Sequence, residues 1–153
     1  MSGKTAPTHR RPRGIVAIVS AVIAMAVASQ TALAADLKVT VSALRSTEGT
    51  VHISLYNSAE AFPKLGRMLE EKVVPASAAV TTFSGIEPGT YAVAVYHDEN
   101  SNNKFDQGLF GIPLEGYAFS RDAQVFLGPP PFADAAFDVE ANGRAITIAM
   151  TYW

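Results

Sequence analysis

Tyr91 to Ser120 reads YAVAVYHDENSNNKFDQGLFGIPLEGYAFS, an apolar segment that runs straight into an oxygen-rich loop and then a glycine-punctuated tail. In its first part Tyr91, Val93, Val95 and His97 share one face, and Ala92, Ala94 and Tyr96 share the other. A strand apolar on both faces belongs in the middle of a core. Pro88-Gly89 just before it suits a type II turn, with proline presetting φ and glycine accepting a positive φ.

Outward from this strand, Leu37, Val39, Val41 and Ala43 alternate with Lys38, Thr40 and Ser42, and Val51, Ile53 and Leu55 alternate with His52, Ser54 and Tyr56. Both segments have the period of half-buried strands, and the turn-like Arg45–Gly49 between them predicts an antiparallel hairpin. His52 lies on the polar face and reads as a solvent-facing or cross-strand histidine, because a functional histidine needs an identifiable partner. Residues 57–75 break the pattern. Pro63 and Gly66 interrupt a candidate helix turn, and Leu65, Met68 and Leu69 are expected to rest on the sheet as a lid.

Further strands are expected at Ala79–Phe83, Asp122–Leu127, Ala135–Glu140 and Arg144–Tyr152, the last two as a hairpin closed by Asn142-Gly143. About seven short strands with at most one short helix predict an all-β fold, an antiparallel β-sandwich. The chain has 153 residues, 17% of them charged and none of them cysteine. Its stability must therefore come from packing, with a bound ion as the other available contributor.

The N-terminus carries Lys4, Arg10, Arg11 and Arg13, then an uncharged apolar run over Ile15–Ala28, then small residues at 31–35. This is the pattern of a cleavable secretory signal over 1–35, followed by a single domain over 36–153. Pro12-Arg13-Gly14 after the arginine pair disfavours a twin-arginine signal. Removal of 1–35 leaves eight basic and fourteen acidic residues, a net charge of −6. An acidic, exported chain that spans no membrane after cleavage is expected in the periplasm or outside the cell. It is a poor candidate for binding nucleic acid or anionic lipid.

Chemistry concentrates in the central stretch. Asp98, Asn100 and Asn102 recur at alternate positions, with the Lys104 carbonyl and Asp106 following, as in the first nine positions of a calcium loop. Asn103 stands where glycine is usual, and Leu109 stands where a bidentate glutamate should close the shell. Glu99 or Glu115 could fold in instead. Such a site would bind Ca2+ weakly, at about 10⁻⁴ to 10⁻³ M. The other reading of these residues is an ion-free turn in which Asp and Asn side chains cap their own backbone.

Residues 108–120 are apolar but broken by Gly108, Gly111, Pro113 and Gly116, a loop expected mainly to pack on its own sheet. Leu109 and Phe110 at its tip are the candidates for an exposed partner surface. The loop end would serve a protein, glycan or lipid partner, with Phe105, Phe110, Tyr117 and Trp153 as the rings available for glycan or lipid contact.

No G-x-S-x-G elbow, H-E-x-x-H helix or cysteine nucleophile is present, so no catalytic residue is assigned. The enzymatic alternative is a hydrolase using His97 with Asp98, or Glu115 with Ser120. A membrane barrel is disfavoured by Pro129–Pro131, which interrupt the strand series.

Several motifs occur in order: Pro88-Gly89-Thr90-Tyr91, His97-Asp98-Glu99-Asn100 with Asn102, Lys104 and Asp106, Gly111-Ile112-Pro113, Glu115-Gly116-Tyr117, Phe119-Ser120 and Gly128-Pro129-Pro130. Together they resemble the bacterial domain-of-unknown-function family 2141. The resemblance implies an exported single domain and no particular activity. The Pro-Gly-Thr-Tyr start of the central strand is also similar to prealbumin-like and carboxypeptidase-regulatory-like sandwiches, an analogy of fold alone, and the expected sandwich is immunoglobulin-like or prealbumin-like.

Overall fold

The computed structural model describes residue 3 and residues 34–153. The expected signal segment lies almost entirely outside the described residues. Among the described residues eight strands form two sheets: β1 (Ala35–Ser42), β2 (Thr50–Tyr56), β3 (Glu70–Pro75), β4 (Val80–Ile86), β5 (Gly89–Asp98), β6 (Gly116–Phe119), β7 (Phe137–Val139) and β8 (Arg144–Ala149). One sheet runs β4-β1-β8. The other runs β3-β2-β5-β6, with β7 pairing the start of β5. All pairs are antiparallel except β1 with β8. Among the described residues the one α-helical turn is α1 (Phe132–Ala135).

The sandwich core forms where the apolar faces of the two sheets meet. Leu37, Val39, Phe83 and Ile148 from the first sheet pack with Val51, Ile53, Leu55, Val93 and Val95 from the second. The central strand is as expected: β5 lies between β2 and β6 and is buried on both faces. A second, smaller cluster covers the outer face of β2 and β5. It joins Tyr56, Phe62, Ala92 and Ala135, with Met68, Phe119 and Phe132 against them.

Several expectations are corrected. β1 and β2 are not a hairpin, since β1 pairs β4 and β8 while β2 pairs β3 and β5. The connection over 43–49 crosses between sheets, and Gly49 passes so close to the Asp98 carbonyl, at φ 71°, that a Cβ there would clash. Asn142-Gly143 does make a tight turn, but it sends β8 to the other sheet, parallel to β1, while β7 stays on β5. Alternation of apolar residues fixes which face is buried, not which neighbour is paired.

β3 falls at the end of the 57–75 segment, where no strand was expected. Its sequence Glu70-Glu71-Lys72 looks like loop, yet charge is what an edge strand tolerates. Leu65 and Leu69 are exposed rather than forming a lid, and Phe62 takes the buried place. Residues 122–127 are not a strand. Positive φ at Asp122 and Leu127 interrupts them, and β6 supplies the missing strand six residues earlier.

Candidate functional site

Strand alternation sends adjacent residues of β5 to opposite sides of the sheet. His97 therefore faces the sandwich core and Asp98 faces outward, although both are fully buried. His97 is held at both ring nitrogens, Nδ1 lying 2.8 Å from the Tyr152 hydroxyl and Nε2 2.8 Å from the Glu48 carbonyl. The two residues do not form a dyad. Ser120 is equally occupied: its Oγ accepts from the Val93 N–H at 2.9 Å and donates to the Ala135 carbonyl at 2.6 Å.

On the outer face, register sets Thr50 opposite Asp98, and His52 opposite Tyr96, which in turn faces Tyr117. Because His97 pairs with Gly116, Glu115 arrives beside the end of β5 next to Asp98. His52 is a cross-strand histidine, but a buried one. Its ring stacks on Tyr96 with centroids 4.3 Å apart, its Nδ1 is 3.3 Å from Glu71 Oε1, and its Nε2 is 3.7 Å from Asp98 Oδ2. Burial, then the charges of Glu71, Asp98 and Glu115, push the Tyr96 hydroxyl well above its ordinary pKa.

The loop after β5 is drawn tight by its own side chains. Asp98 accepts the N–H groups of Asn102 at 3.0 Å and Asn103 at 2.7 Å. Asn100 Oδ1 accepts from the Asn102 N–H, and Asn102 Oδ1 from the Lys104 N–H. Asn103 adopts φ 58°, the left-handed backbone that glycine usually supplies at this position. The side-chain amides of Asn100 and Asn102 both donate to Asp106 Oδ2 at 2.8 Å, two N–H donors converging on one carboxylate oxygen.

Glu115 joins the loop from the far side, its Oε2 accepting the Asp106 N–H at 3.1 Å. Burial pushes its carboxyl above the usual range, and the charges of Asp98 and Asp106 add to this. Its Oε1 is buried without a partner, as are His52 Nε2 and Thr50 Oγ1. Among the described residues these three orphaned side-chain atoms all lie around Asp98, from Thr50 and His52 on β2 and from Glu115 just before β6. Among the described residues no three His, Asp or Glu side chains stand face to face as a ready metal ligand set. Asp106 and Glu115 meet through an N–H group instead. Glu99, the other candidate to complete the shell, is engaged by Arg45 Nε and by Ser46 Oγ, and that pairing holds its carboxyl below the usual range.

Leu109, at the position where a glutamate would close the loop, is carried away from it. Residues 107–113 fold back as a narrow finger, with a bridge between Gln107 and Pro113 and the Leu114 N–H donating to the Asp106 carbonyl at 3.0 Å. Its apolar tip is exposed at the pair named for it, Leu109 at 82% and Phe110 at 99%, while Ile112 and Leu114, expected to pack on the sheet, are exposed as well. Tyr117 and Ala118, further on, are buried in β6. Of the four candidate rings, Phe105 lies between Tyr96 and Tyr117 in an aromatic row, and Tyr117 is buried. Phe110 and Trp153 face outward.

Thr50, His52 and Glu71 carry no sequence signal for this neighbourhood, because only the β2–β3 and β2–β5 registers bring them to Asp98. The family model described as "uncharacterized protein conserved in bacteria (DUF2141)" matches residues 39–147, a span that contains the whole Asp98–Glu115 loop. No curated protein and no solved structure matches the chain.

Proposed function

The chain belongs to this bacterial family of uncharacterized proteins, and from that premise we propose that it is an exported, non-catalytic binding module whose loop end takes a hard divalent cation, Ca2+. The observation that carries the cation is Glu115, a buried carboxylate with one oxygen lacking any partner, set beside Asp98 and Asp106. A buried carboxylate oxygen without a donor is costly, and a cation removes the cost. Asp98, Asn100, Asn102, Asp106 and the Lys104 carbonyl would supply the other oxygens, with Glu115 closing the shell in place of Leu109. The convergence of two amide N–H donors on Asp106 is the ion-free arrangement of the same groups. The cation is structural in this reading and takes part in no reaction.

Export rests on the leader pattern over 1–35. Cleavage after Ala34 is the better of the two candidate positions, because Ala35 is buried and pairs with Ile86 at the start of β1. The test of the cation is thermal melting in chelator and then in increasing calcium. Ten times the dissociation constant should add about 1.4 kcal/mol, a shift of several degrees. The shift should vanish in Asp106→Asn and in Glu115→Gln. A parent protein whose melting does not respond to millimolar calcium would leave the loop as an ion-free Asx turn.

A further inference from the structure

The finger 107–114 has no charged residue, and its exposed side chains are all apolar apart from Gln107: Leu109, Phe110, Ile112 and Leu114. It is not slack chain. The Gly108 N–H donates to the Ile112 carbonyl at 2.8 Å, Gln107 bridges Pro113, and the turn at 109–111 sets Phe110 at φ 61°, a backbone region unfavourable for a bulky L-residue. The result is a stiff, convex wedge with a phenyl ring at its apex.

Shape and charge together select what such a wedge meets. A convex apolar apex needs a counterpart that yields around it, as the acyl region of a bilayer does, whereas a protein would have to offer a slot of matching form. The base of the finger carries the carboxylates of Asp98, Asp106 and Glu115 against, among the described residues, the one free cation of Lys104, since Arg45 already answers Glu99. Facing lipid phosphates within a Debye length of ~8 Å, that base is repelled. Two positive charges from a bound divalent cation bring it close to neutrality and remove the repulsion.

We propose that residues 107–114 are a membrane-insertion wedge with Phe110 at its apex, switched on by divalent cation at the loop on its base; this rests on the cation reading above. The occupant is a phospholipid surface, and the contact is shallow: a few side chains at the headgroup boundary.

The experiment is vesicle sedimentation with protein purified after expression of the full chain, its N-terminus read by mass spectrometry so that a retained leader is recognised. The vesicles are phosphatidylethanolamine with a minority of phosphatidylglycerol, in millimolar calcium or in chelator, and the melting shift with calcium is measured on the same samples. The expected result is about tenfold more vesicle-bound protein in calcium than in chelator. Leu109→Ser with Phe110→Ser should abolish that gain while keeping the calcium melting shift. Phe126→Ser, which alters another largely exposed ring on a different loop, should leave both unchanged.

A calcium melting shift without vesicle binding would overturn the wedge alone and leave the finger to a protein slot. Binding that persists in chelator or in the Leu109/Phe110 variant would overturn the switch or the wedge respectively. Absence of both the melting shift and the binding would remove the cation reading and this inference together.

Discussion

His97 and Asp98 are neighbours in sequence, equally buried, and opposite in circumstance. On the inner face β5 sends the imidazole of His97 into the apolar core, and both of its nitrogens are answered, by Tyr152 and by Glu48. On the outer face Asp98 is surrounded by polar side chains of which three have an unanswered atom. A fully paired buried group is a structural member. A buried group next to orphans marks a place where the fold alone has not finished the bonding, and where a ligand gains most.

The largest effect that can test this contrast is on the inner face. Ile53→Ala should cost about 2–5 kcal/mol in denaturant unfolding, and calcium should not selectively rescue it. Rescue would mean that the two faces are not independent. Next, His97→Ala leaves the Tyr152 hydroxyl and the Glu48 carbonyl without their partner and should cost about 1–3 kcal/mol by the same measurement.

Glu115→Gln should separate the faces by sign. The parent's Glu115 carboxyl is raised in the fold, so its ionisation is unfavourable there. The stability present below the ordinary carboxylate range is lost as pH rises through the raised value. In chelator the glutamine variant should lack this decline and be no less stable than the parent at neutral pH. In calcium the order should reverse, because the variant forgoes the gain. Melting curves against pH, with and without calcium, read both signs; a variant less stable than the parent in chelator at neutral pH would overturn the assignment.

The smallest effect belongs to the rim. Arg45→Ala should cost no more than about 1 kcal/mol and fade with added salt, since the pair with Glu99 is partly exposed. Glu99 is lowered in the fold, so its contribution is present above the ordinary carboxylate range and lost as pH falls through the lowered value, opposite to Glu115. Urea titrations at low and high salt would show it.

Much of the sandwich is legible in the chain. Two-residue alternation names the core-facing residues of β1, β2 and β5, although the other face of β2, with His52, Ser54 and Tyr56, is buried as well, and the apolar residues on both sides of Tyr91–Tyr96 mark the central strand. The Asx spacing at 98, 100, 102 and 106 marks a self-capping loop, and the placement of Glu115 beside it was one of the options its sequence allowed. Pairing is another matter. The hairpins expected at Arg45–Gly49 and Asn142-Gly143 are crossings between sheets, and the charged β3 and glycine-bounded β6 were hidden by residue types that also suit loops.

The sequence by itself determined the fold class, the central strand and the oxygen-rich loop, because each depends on residues within a few positions of one another. Only the tertiary structure decided that His97 is satisfied while Glu115 and His52 are not, and that Ile112 and Leu114 join the finger's tip in water rather than packing on the sheet. Those outcomes depend on partners far away in sequence, Glu48 and Tyr152 for His97, Glu71 and Asp98 for His52. No local pattern encodes them; they follow from the cross-strand register and from the packing of loops against the sheet.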